Sequence, residues 1–337
     1  MSSRIKPAPL PADTRIGDYR IVRKLASGGF GVVYLAVDAH GQEVAIKEYL
    51  PAVLTHRAVG ERVPQVQNGK LSLYRLGLKS FFEEGRSLTQ ISHAGVVSVL
   101  NFFRENDTVY MVMNLLRGAS LQEYIVLARA QNQAKVLRES SIRSLFDEVL
   151  RGLRIVHQHK ILHLDIKPAN IFVTDDDRAV LIDFGAAREV LNKKGSFIRP
   201  MYTPGFAAPE MYPRNGSMGP WTDIYAVGAC MLACMTGQPP VDVPSRRGKD
   251  RLHAALARLR GVYSDNLLEL VQWAMELDPM ARPQSVFAFH KALSHEPARS
   301  YTPLTVSEKV SLQLDALTAE DRKTPTPNQT ADHVNTP

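Results

Sequence analysis

The hydrophobic pattern of the chain changes near residue 117, and this change constrains the fold more than any other feature of the sequence. From Tyr19 to Asn114, β-branched and aromatic runs alternate with Gly, Asn and Asp, as is typical of strands joined by turns. The runs read YRIVRKL, VVYLAV, EVAIKEY, VVSVLNFF and VYMVM. After residue 117 apolar residues recur at helical spacing, with a strong stripe from 142 to 156. The sequence therefore predicts an α+β chain in which a β-rich lobe precedes a helical lobe, with a ligand site in the cleft between them.

The same pattern sets the expected boundaries of the lobes. We expect a small N-terminal lobe at 17–116, with one main helix at about 78–91, and a larger C-terminal lobe at 117–293. Further helices are predicted near residues 221–236, 248–260, 265–276 and 283–293. The proline-rich, polar residues 1–16 are expected to be disordered, and the Thr-, Ser- and Pro-rich residues 294–337 to form a mostly disordered tail.

The charge of the chain bears on its partners. A formal net charge of +7 and a sequence pI near 9.3 would suit an anionic partner such as a nucleic acid, a membrane surface or a phosphorylated small molecule. However, the basic residues are spread along the chain and are not interleaved with aromatic residues that could stack on bases. We therefore expect no nucleic-acid binding.

Apolar runs and cysteines bear on the compartment. No run approaches the ~20 apolar residues of a membrane span, and the N-terminus lacks the apolar region of a signal peptide. Cys230 and Cys234 lie four positions apart in an apolar run that reads as helix, so we expect them to pack side by side and not to form a disulfide. A cytoplasmic protein without a membrane span is the expectation.

A glycine-rich stretch, LASGGFGVVYLAV at 25–37, lies between two predicted strands. Gly28, Gly29 and Gly31 would let backbone N–H groups approach a phosphate closely, because glycine has no Cβ. Taken alone, such a stretch is more often an ordinary hairpin turn than a phosphate-binding loop.

The next strand ends in VAIK, which places Lys47 at an alternating position. A lysine that points into a cleft can neutralise phosphate oxygens, whereas the alternative is a solvated lysine on an edge strand. Glu84, in the helix FFEEGRSL, is the acidic partner that could hold Lys47, and the neighbouring Glu83 points elsewhere on that helix.

Two further motifs supply acids, an amide and a base. HLDIKPAN contributes Asp165, Lys167 and Asn170, and LIDFGAAR contributes Asp183 after an apolar strand. The oxygens of Asn170 and Asp183 suit Mg²⁺, which prefers oxygen ligands and substrate phosphates. Asp165 can orient an attacking hydroxyl and accept its proton, and Lys167 can balance charge on a transferring phosphoryl group. Each residue alone could be an ordinary polar residue on the surface, but five such motifs in this order are very unlikely to coincide by chance.

Together these motifs resemble the eukaryotic-like (Hanks-type) serine/threonine protein kinases over roughly residues 19–293. The resemblance implies a bilobal protein kinase fold and transfer of the γ-phosphoryl group of ATP to protein hydroxyls, with autophosphorylation, and with Mg²⁺ or Mn²⁺ as cofactor. It implies that Asp165, Lys167 and Asn170 are catalytic and that Asn170 and Asp183 bind the metal. The implied nucleotide-binding residues are Leu25, Ala26, Ser27, Gly28, Gly29, Phe30, Gly31, Val32, Val33, Ala45, Lys47, Glu84 and Met113.

The resemblance extends into the C-terminal lobe. It implies that Asp223, in TDIYAVG, braces the backbone of the catalytic loop, and that Arg282, in LDPMARP, pairs with Glu210 of APE. Lys167 and the segment YTPGFAAPE, with Thr203, resemble the serine/threonine branch of the family. The stretch IKEYLP followed by a long insertion resembles bacterial members.

Three features depart from the family pattern. Ala26 replaces the first glycine of the loop, which is expected to alter ATP affinity modestly because alanine does not easily take a positive φ. Lys47 and Glu84 lie 37 positions apart, which implies an insertion at about 54–76 that is either a surface loop or a docking element beside the helix. Leu164 replaces the arginine that typically grips a phosphate on the activation segment, so this would be a non-RD kinase.

Leu164 indicates how activity is controlled. Leucine has no donor for a phosphate, and the segment 183–210 carries four further basic residues against one acid outside the motifs. These residues are Arg188, Lys193, Lys194 and Arg199, with Glu189 as the acid. We therefore expect activity not to require phosphorylation of this segment, in which Ser196 is one candidate site.

Two alternatives remain open at this point. A pseudokinase would keep the fold as a binding scaffold without catalysis, and only Ala26 and Leu164 support it. A small-molecule kinase of similar fold is disfavoured by APE and LDPMARP, which resemble the protein kinase branch. The sequence indicates neither the physiological substrate and activating signal nor the oligomeric state.

Overall fold

The structure is a computed structural model and describes residues 7–130, 137–185, 202–213 and 216–294. Within these residues the chain forms two lobes, a strand-rich lobe with one long helix followed by a mostly helical lobe. The predicted α+β, bilobal architecture is thereby confirmed. None of the described helices combines the length and the apolar character needed to cross a membrane.

A six-stranded antiparallel sheet forms the N-terminal lobe, in the order β1-β2-β3-β4-β8-β7. Its strands are β1 Arg15–Ile16, β2 Tyr19–Ser27, β3 Gly31–Val37, β4 Glu43–Tyr49, β7 Val99–Glu105 and β8 Thr108–Asn114. A short hairpin of β5 Thr55–His56 and β6 Gln65–Val66 follows β4, and helix α1 spans Leu71–Leu88.

Side chains alternate between the two faces of this sheet, and each face has its own apolar cluster. The cleft face, which carries Ala45 and Met113, packs against α1 and reaches Phe184 of the other lobe. The outer face carries Tyr34 and Ile46 in a separate buried cluster. Along β3, β4 and β8, therefore, only every second side chain can reach the cleft, and the residues between them point to the outer face.

Residues 7–16, here called the N-terminal segment, are packed onto the outer face and are not disordered. Leu10 is 3% exposed and Ile16 fully buried within the outer-face cluster, and β1 pairs with β2. The expectation of disorder was wrong for these residues, because scattered apolar side chains in a proline-rich segment find a sheet face to cover. Residues 1–6 and the tail from 295 onward lie outside the described residues.

Helix α1 begins seven residues earlier than predicted and ends three residues earlier. Its buried stripe starts at Tyr74 and continues through Leu78 and Phe81 to Leu88. The presumed insertion at 54–76 therefore consists of the β5–β6 hairpin and the first turns of α1, and it is not simply a surface loop.

The C-terminal lobe is built around two helices. Its helices are α2 Leu121–Ala130, α3 Glu139–Gln158, α4 Pro220–Thr236, α5 Val243–Gly248, α6 Leu252–Ala257, α7 Asp265–Ala274 and α8 Val286–Leu293. The amphipathic stripe of α3 is buried as predicted, and α4 is buried on nearly all sides, including the unbridged Cys230 and Cys234. The helix predicted near 248–260 is shorter and corresponds to α6, and the separate helix α5 precedes it. Between the two, Asp250 accepts from the N–H of Leu252 and from Arg246.

A small sheet of β9 Gly118–Ser120, β10 Ile171–Thr174 and β11 Ala179–Leu181 lies beside the cleft. The strands of this sheet fix the ends of two loops, the one that precedes β10 and the one that follows β11. The Val97 N–H donates to the Leu181 carbonyl at 3.0 Å, which links this sheet to the N-terminal lobe.

Candidate active site

The loop between α3 and β10 brings three of the predicted site residues together. Lys167 Nζ lies 2.8 Å from Asp165 Oδ2, and Asn170 Nδ2 donates to the same oxygen at 2.7 Å. Asn170 also donates to the backbone carbonyl of Asp165 at 2.9 Å. Two donors therefore hold one carboxylate oxygen of Asp165, which fixes the orientation of the carboxylate.

Asp223 on α4 braces the backbone of this loop, as predicted. Its carboxylate accepts from the N–H groups of His163 and Leu164 at 2.9 and 2.8 Å, and His157 Nε2 lies 2.8 Å away. Burial alone would raise the pKa of Asp223, but the hydrogen bonds from His157 and His163 bring the pKa below its ordinary value. The carboxylate therefore stays charged, and it stabilises the left-handed backbone of Leu164, whose φ is 60°.

His163 connects this loop to the next motif. Its ring stacks on Phe184 with the centroids 4.3 Å apart, and its carbonyl accepts from the Gly185 N–H at 2.8 Å. Burial lowers the pKa of His163, so the imidazole stays neutral in the interior. The stacking therefore sets the position of the residues that follow Asp183.

Lys47 lies on the cleft face of β4 and reaches the Asp183 carboxylate. Its Nζ is 2.5 Å from Asp183 Oδ1 and 5.1 Å from the centroid of the Phe81 ring. Glu84 lies on the buried side of α1, whereas the side chain of Glu83 is 62% exposed beside Lys79. Burial thus separates the two glutamates in the way the sequence predicted.

The glycines between β2 and β3 have different surroundings. A Cβ on Gly31 would overlap the backbone carbonyl oxygen of Glu48, whereas nothing lies within 4 Å of a Cβ on Gly28 or Gly29. The Gly28 N–H donates to the Gly31 carbonyl at 2.9 Å and closes the turn. Gly31 is therefore required by strand packing, and the open space at Gly28 and Gly29 is where a phosphate could approach the backbone.

Ala26 does not strain the glycine-rich turn. It lies within β2 opposite Val33, and its φ is not positive. Alanine adopts this extended backbone without cost, so the reason for expecting altered ATP affinity at this position does not apply.

Apolar residues line the cleft where a purine base would lie in the predicted site. Ala45 and Met113 are cross-strand partners, and Val33 and Phe30 pack against the same cluster. The assignment of Val32 to the nucleotide site was wrong, because its side chain is buried in the outer-face cluster and cannot face the cleft with Val33. Two further residues implied by the resemblance lie on β2. Leu25 is 37% exposed, and Ser27 lies opposite Val32.

The two predicted metal ligands lie next to each other. Asn170 Nδ2 is 3.2 Å from the Asp183 backbone carbonyl and 2.7 Å from the Asp165 carboxylate, so only the amide oxygen of Asn170 could serve as a metal ligand. No cluster of three or more His, Cys, Asp or Glu side chains suited to a metal occurs among the described residues. One amide and one carboxylate fit Mg²⁺ or Mn²⁺ that takes its remaining ligands from substrate phosphates and water.

Part of the segment after Asp183 lies outside the described residues, namely 186–201. This part contains Arg188, Glu189, Lys193, Lys194, Ser196 and Arg199. Where the description resumes, Leu164 lines a small cavity with Tyr202, Phe206 and Met211, and it packs against the core of the C-terminal lobe. Leu164 thus shares an apolar environment with the residues at the end of the segment.

Arg282 and Glu210 form the predicted pair. The guanidinium Nη1 and Nη2 lie 2.9 and 3.0 Å from the two carboxylate oxygens, and both side chains are buried. Glu210 also accepts from the Thr222 hydroxyl at 2.8 Å. The pair anchors the 3₁₀ turn Pro209–Met211 to the helical lobe.

Two contributors to the site, and one ion pair on the face of β4 opposite the cleft, were not predicted from the sequence. Phe81 lies against the Lys47 ammonium, although it was assigned only to the inner face of α1. His157 contacts Asp223 from the last turn of α3, and Arg57 pairs with Glu48 next to Lys47. The position of Phe81 three residues before Glu84, on the same side of the helix, is the one sequence signal that could have identified it.

Comparison with known proteins supports the assignment of these motifs. The family model for the protein kinase domain matches residues 19–296. The solved structure of the PpkA-294 apo form is 33% identical, covers 85% of this chain and 99% of its own, and superposes with a TM-score of 0.74. The kinase domain of PknI from Mycobacterium tuberculosis, at 21% identity, shares the fold with a TM-score of 0.59 over 85% of this chain and 98% of its own.

Curated relatives include bacterial proteins. Serine/threonine-protein kinase pkn2 of Myxococcus xanthus is 29% identical over 85% of this chain and 34% of its own length. Serine/threonine-protein kinase D of Synechocystis is 29% identical over 82% of this chain and 51% of its own length. The chain thus spans about a third to a half of the length of these relatives.

Proposed function

Because this chain belongs to the protein kinase family, we propose that it is a serine/threonine protein kinase that transfers the γ-phosphoryl group of Mg-ATP to protein hydroxyls, including its own. The observation that carries the proposal is the arrangement of one cleft. There Asp165 is held by Lys167 and Asn170, and Asp183 contacts both Asn170 and Lys47. The acceptor class rests on Lys167, on the segment around Thr203, and on the names of the relatives.

Each residue has one physical task in this proposal. Asp165 orients the attacking hydroxyl and accepts its proton, and Lys167 places positive charge beside the phosphoryl group in transit. Lys47 neutralises phosphate oxygens, and Glu84 is its proposed acidic partner. Asn170 and Asp183 would hold the metal ion, which when bound neutralises charge on the phosphates.

The proposal is tested with purified full chain, ATP radiolabelled at the γ-phosphate, Mg²⁺ and a generic basic protein. Label is expected on serine or threonine of the basic protein and of the chain itself. Nucleotide binding without transfer would favour the pseudokinase, and label on an amino alcohol or aminoglycoside alone would favour a small-molecule kinase.

Asp183→Asn is expected to raise the Mg²⁺ concentration needed for half-maximal transfer roughly tenfold or more, because a hard divalent ion loses its charged ligand. The measurement is the initial rate across a Mg²⁺ titration at saturating ATP. Asp176→Asn, in the exposed turn between β10 and β11, is the matched control and should leave the titration unchanged. Equal Mg²⁺ requirements in the two variants would contradict the assigned metal site.

We also propose that this is a non-RD kinase, whose control does not run through a phosphate held at position 164. Leu164 packs against the apolar core of the C-terminal lobe and lines the same cavity as Tyr202 and Phe206, which supports this because its side chain offers no charge to hold a phosphate. Ser196→Ala is therefore expected to keep the rate of transfer within about twofold of the parent. Abolished transfer in a folded variant that still binds ATP would refute this mode of control.

A further inference from the structure

A buried ion pair lies on the outer face of the N-terminal lobe, outside the cleft described above. Arg57 Nη1 lies 2.5 Å from Glu48 Oε1 and Nη2 lies 2.8 Å from Oε2, so the guanidinium and the carboxylate meet in a bidentate pair. Neither side chain is exposed to solvent. Because burying two charges costs free energy, a pair in this position has to be compensated by further hydrogen bonds.

The remaining donors and acceptors of this pair are satisfied by four separate parts of the chain. Tyr34 and Tyr110 donate their hydroxyls to Glu48 at 2.7 and 3.2 Å, from β3 and β8. Arg57 donates through Nε to the Ala8 carbonyl at 2.8 Å and through Nη1 to the Arg62 carbonyl at 3.2 Å. The pair therefore joins the sheet, the β5–β6 hairpin and the N-terminal segment in one hydrogen-bonded cluster.

The tyrosines remain protonated in this cluster. Burial first, and then the Glu48 carboxylate, raise the pKa of Tyr34 and of Tyr110 above the ordinary phenol value. Their hydroxyls are therefore available as donors at any ordinary pH. The Leu10 N–H donates in turn to the Tyr34 hydroxyl at 3.0 Å, which is a second tie to the N-terminal segment.

Glu48 is the residue next to Lys47 on β4, and the two side chains point to opposite faces of the strand. On the cleft face Lys47 contacts Asp183 and the Phe81 ring. A displacement of the β4 backbone at Glu48 would therefore also move the Lys47 ammonium, since a single peptide unit separates the two residues.

We propose that Arg57 is a positioning residue for Lys47: by holding Glu48 from the outer face, the hairpin and the N-terminal segment fix the point on β4 from which Lys47 reaches the phosphates. This inference rests on the proposed function for the role of Lys47. It assigns the β5–β6 hairpin and the N-terminal segment a part in nucleotide binding, through a pair on the face of β4 opposite the cleft.

The test compares three full-length variants with the parent chain. Arg57→Met removes the guanidinium but leaves the Glu48 carboxylate buried, so it is paired with the double variant Glu48→Gln, Arg57→Met, which has no buried charge. Arg57→Lys keeps one charge without the bidentate geometry. All variants are assayed at a temperature where far-UV circular dichroism shows each of them to be folded.

Two readouts report on the position of Lys47 independently of the stability of the fold. The first compares the change in KM for ATP with the change in kcat. The second is the rate at which an adenosine analogue with an amine-reactive sulfonyl fluoride labels Lys47, and mass spectrometry identifies the labelled residue. In Arg57→Met and in the double variant, KM should rise about tenfold and labelling should slow about tenfold, with a smaller change in kcat. Arg57→Lys should lie between these variants and the parent.

Arg20→Met is the matched control. Arg20 also ties the sheet to the N-terminal segment, through Asp13 at 2.9 Å, but this pair is exposed at 49% and 79%. The control should match the parent in both readouts. Parent-like KM and labelling in the stable double variant would overturn the proposal, because the pair would then contribute stability alone.

The two readouts also separate this inference from the proposed function. If the parent chain is labelled at Lys47 but transfers no phosphate, the proposed function fails and the labelling rates still decide whether Arg57 positions Lys47. If Lys47 of the parent is not labelled at all, nucleotide does not reach it and the positioning role is refuted as well.

Discussion

Replacing Asp165 with asparagine is expected to lower the rate of phosphoryl transfer by about 10²- to 10⁴-fold, the usual contribution of a positioned general base. Asparagine has nearly the same shape, and its amide oxygen can still accept from Lys167 and Asn170. It cannot take the proton of an attacking hydroxyl, because an amide is not basic. The measurement is the initial rate of transfer from radiolabelled ATP, alongside the Kd for ATP, which should change little.

The matched control for this variant is again Asp176→Asn, which makes the same chemical change in an exposed turn and should leave transfer unchanged. Circular dichroism should show both variants folded. Autophosphorylation that persists in Asp165→Asn at a rate near that of the parent would remove Asp165 from the role of general base. Loss of ATP binding together with transfer would instead indicate a structural role for the carboxylate.

The strands and the catalytic loop were predictable because their signals are local. The strand EVAIKEY coincides with β4, since its β-branched and aromatic residues favour an extended strand. Asp165, Lys167 and Asn170 lie within six positions, and a short loop that is closed by a 3₁₀ turn necessarily brings them close together. Here the local pattern and the tertiary structure agree.

The start of α1 was missed because the amphipathic pattern is blurred at its beginning. Leu71 and Leu76 are exposed at 47% and 37%, so apolar residues occur on both sides of the first turns. Only the spacing from Tyr74 to Leu78 marks the buried side. The helix is stabilised by packing on the sheet, which a local pattern does not report.

The pair of Glu48 and Arg57 could not be predicted, because buried charges look like surface charges in a sequence. Glu48 follows a lysine on a strand and Arg57 lies in a polar stretch, so both read as solvated. Only the covered outer face makes them interior. By contrast, Val32 could have been assigned correctly, since the alternation along β3 that places Val33 in the cleft excludes its neighbour.

Arg282→Ala is expected to lower the free energy of unfolding by about 3–5 kcal/mol, because it leaves the Glu210 carboxylate buried without its partner. All five N–H groups of Arg282 are used, two on Glu210 and the others on the carbonyls of Trp221, Glu276 and Leu277. Its guanidinium also lies 5.0 Å from the centroid of the Tyr225 ring. For a domain of this size the melting temperature should fall by roughly 10 °C, as measured by differential scanning calorimetry.

Two further variants separate the buried pair from a general effect of losing an arginine. Arg260→Ala removes an exposed pair with Asp265 in the same lobe, where the loss should be about 0–1 kcal/mol. Arg282→Lys should recover only part of the stability, since a single ammonium cannot replace a planar group that serves five acceptor positions. Equal melting temperatures for Arg282→Ala and Arg260→Ala would show that the Glu210 carboxylate is not trapped in the interior. The anchor of the 3₁₀ turn Pro209–Met211 would then have to be sought in its apolar contacts, because Met211 packs into the core of the helical lobe.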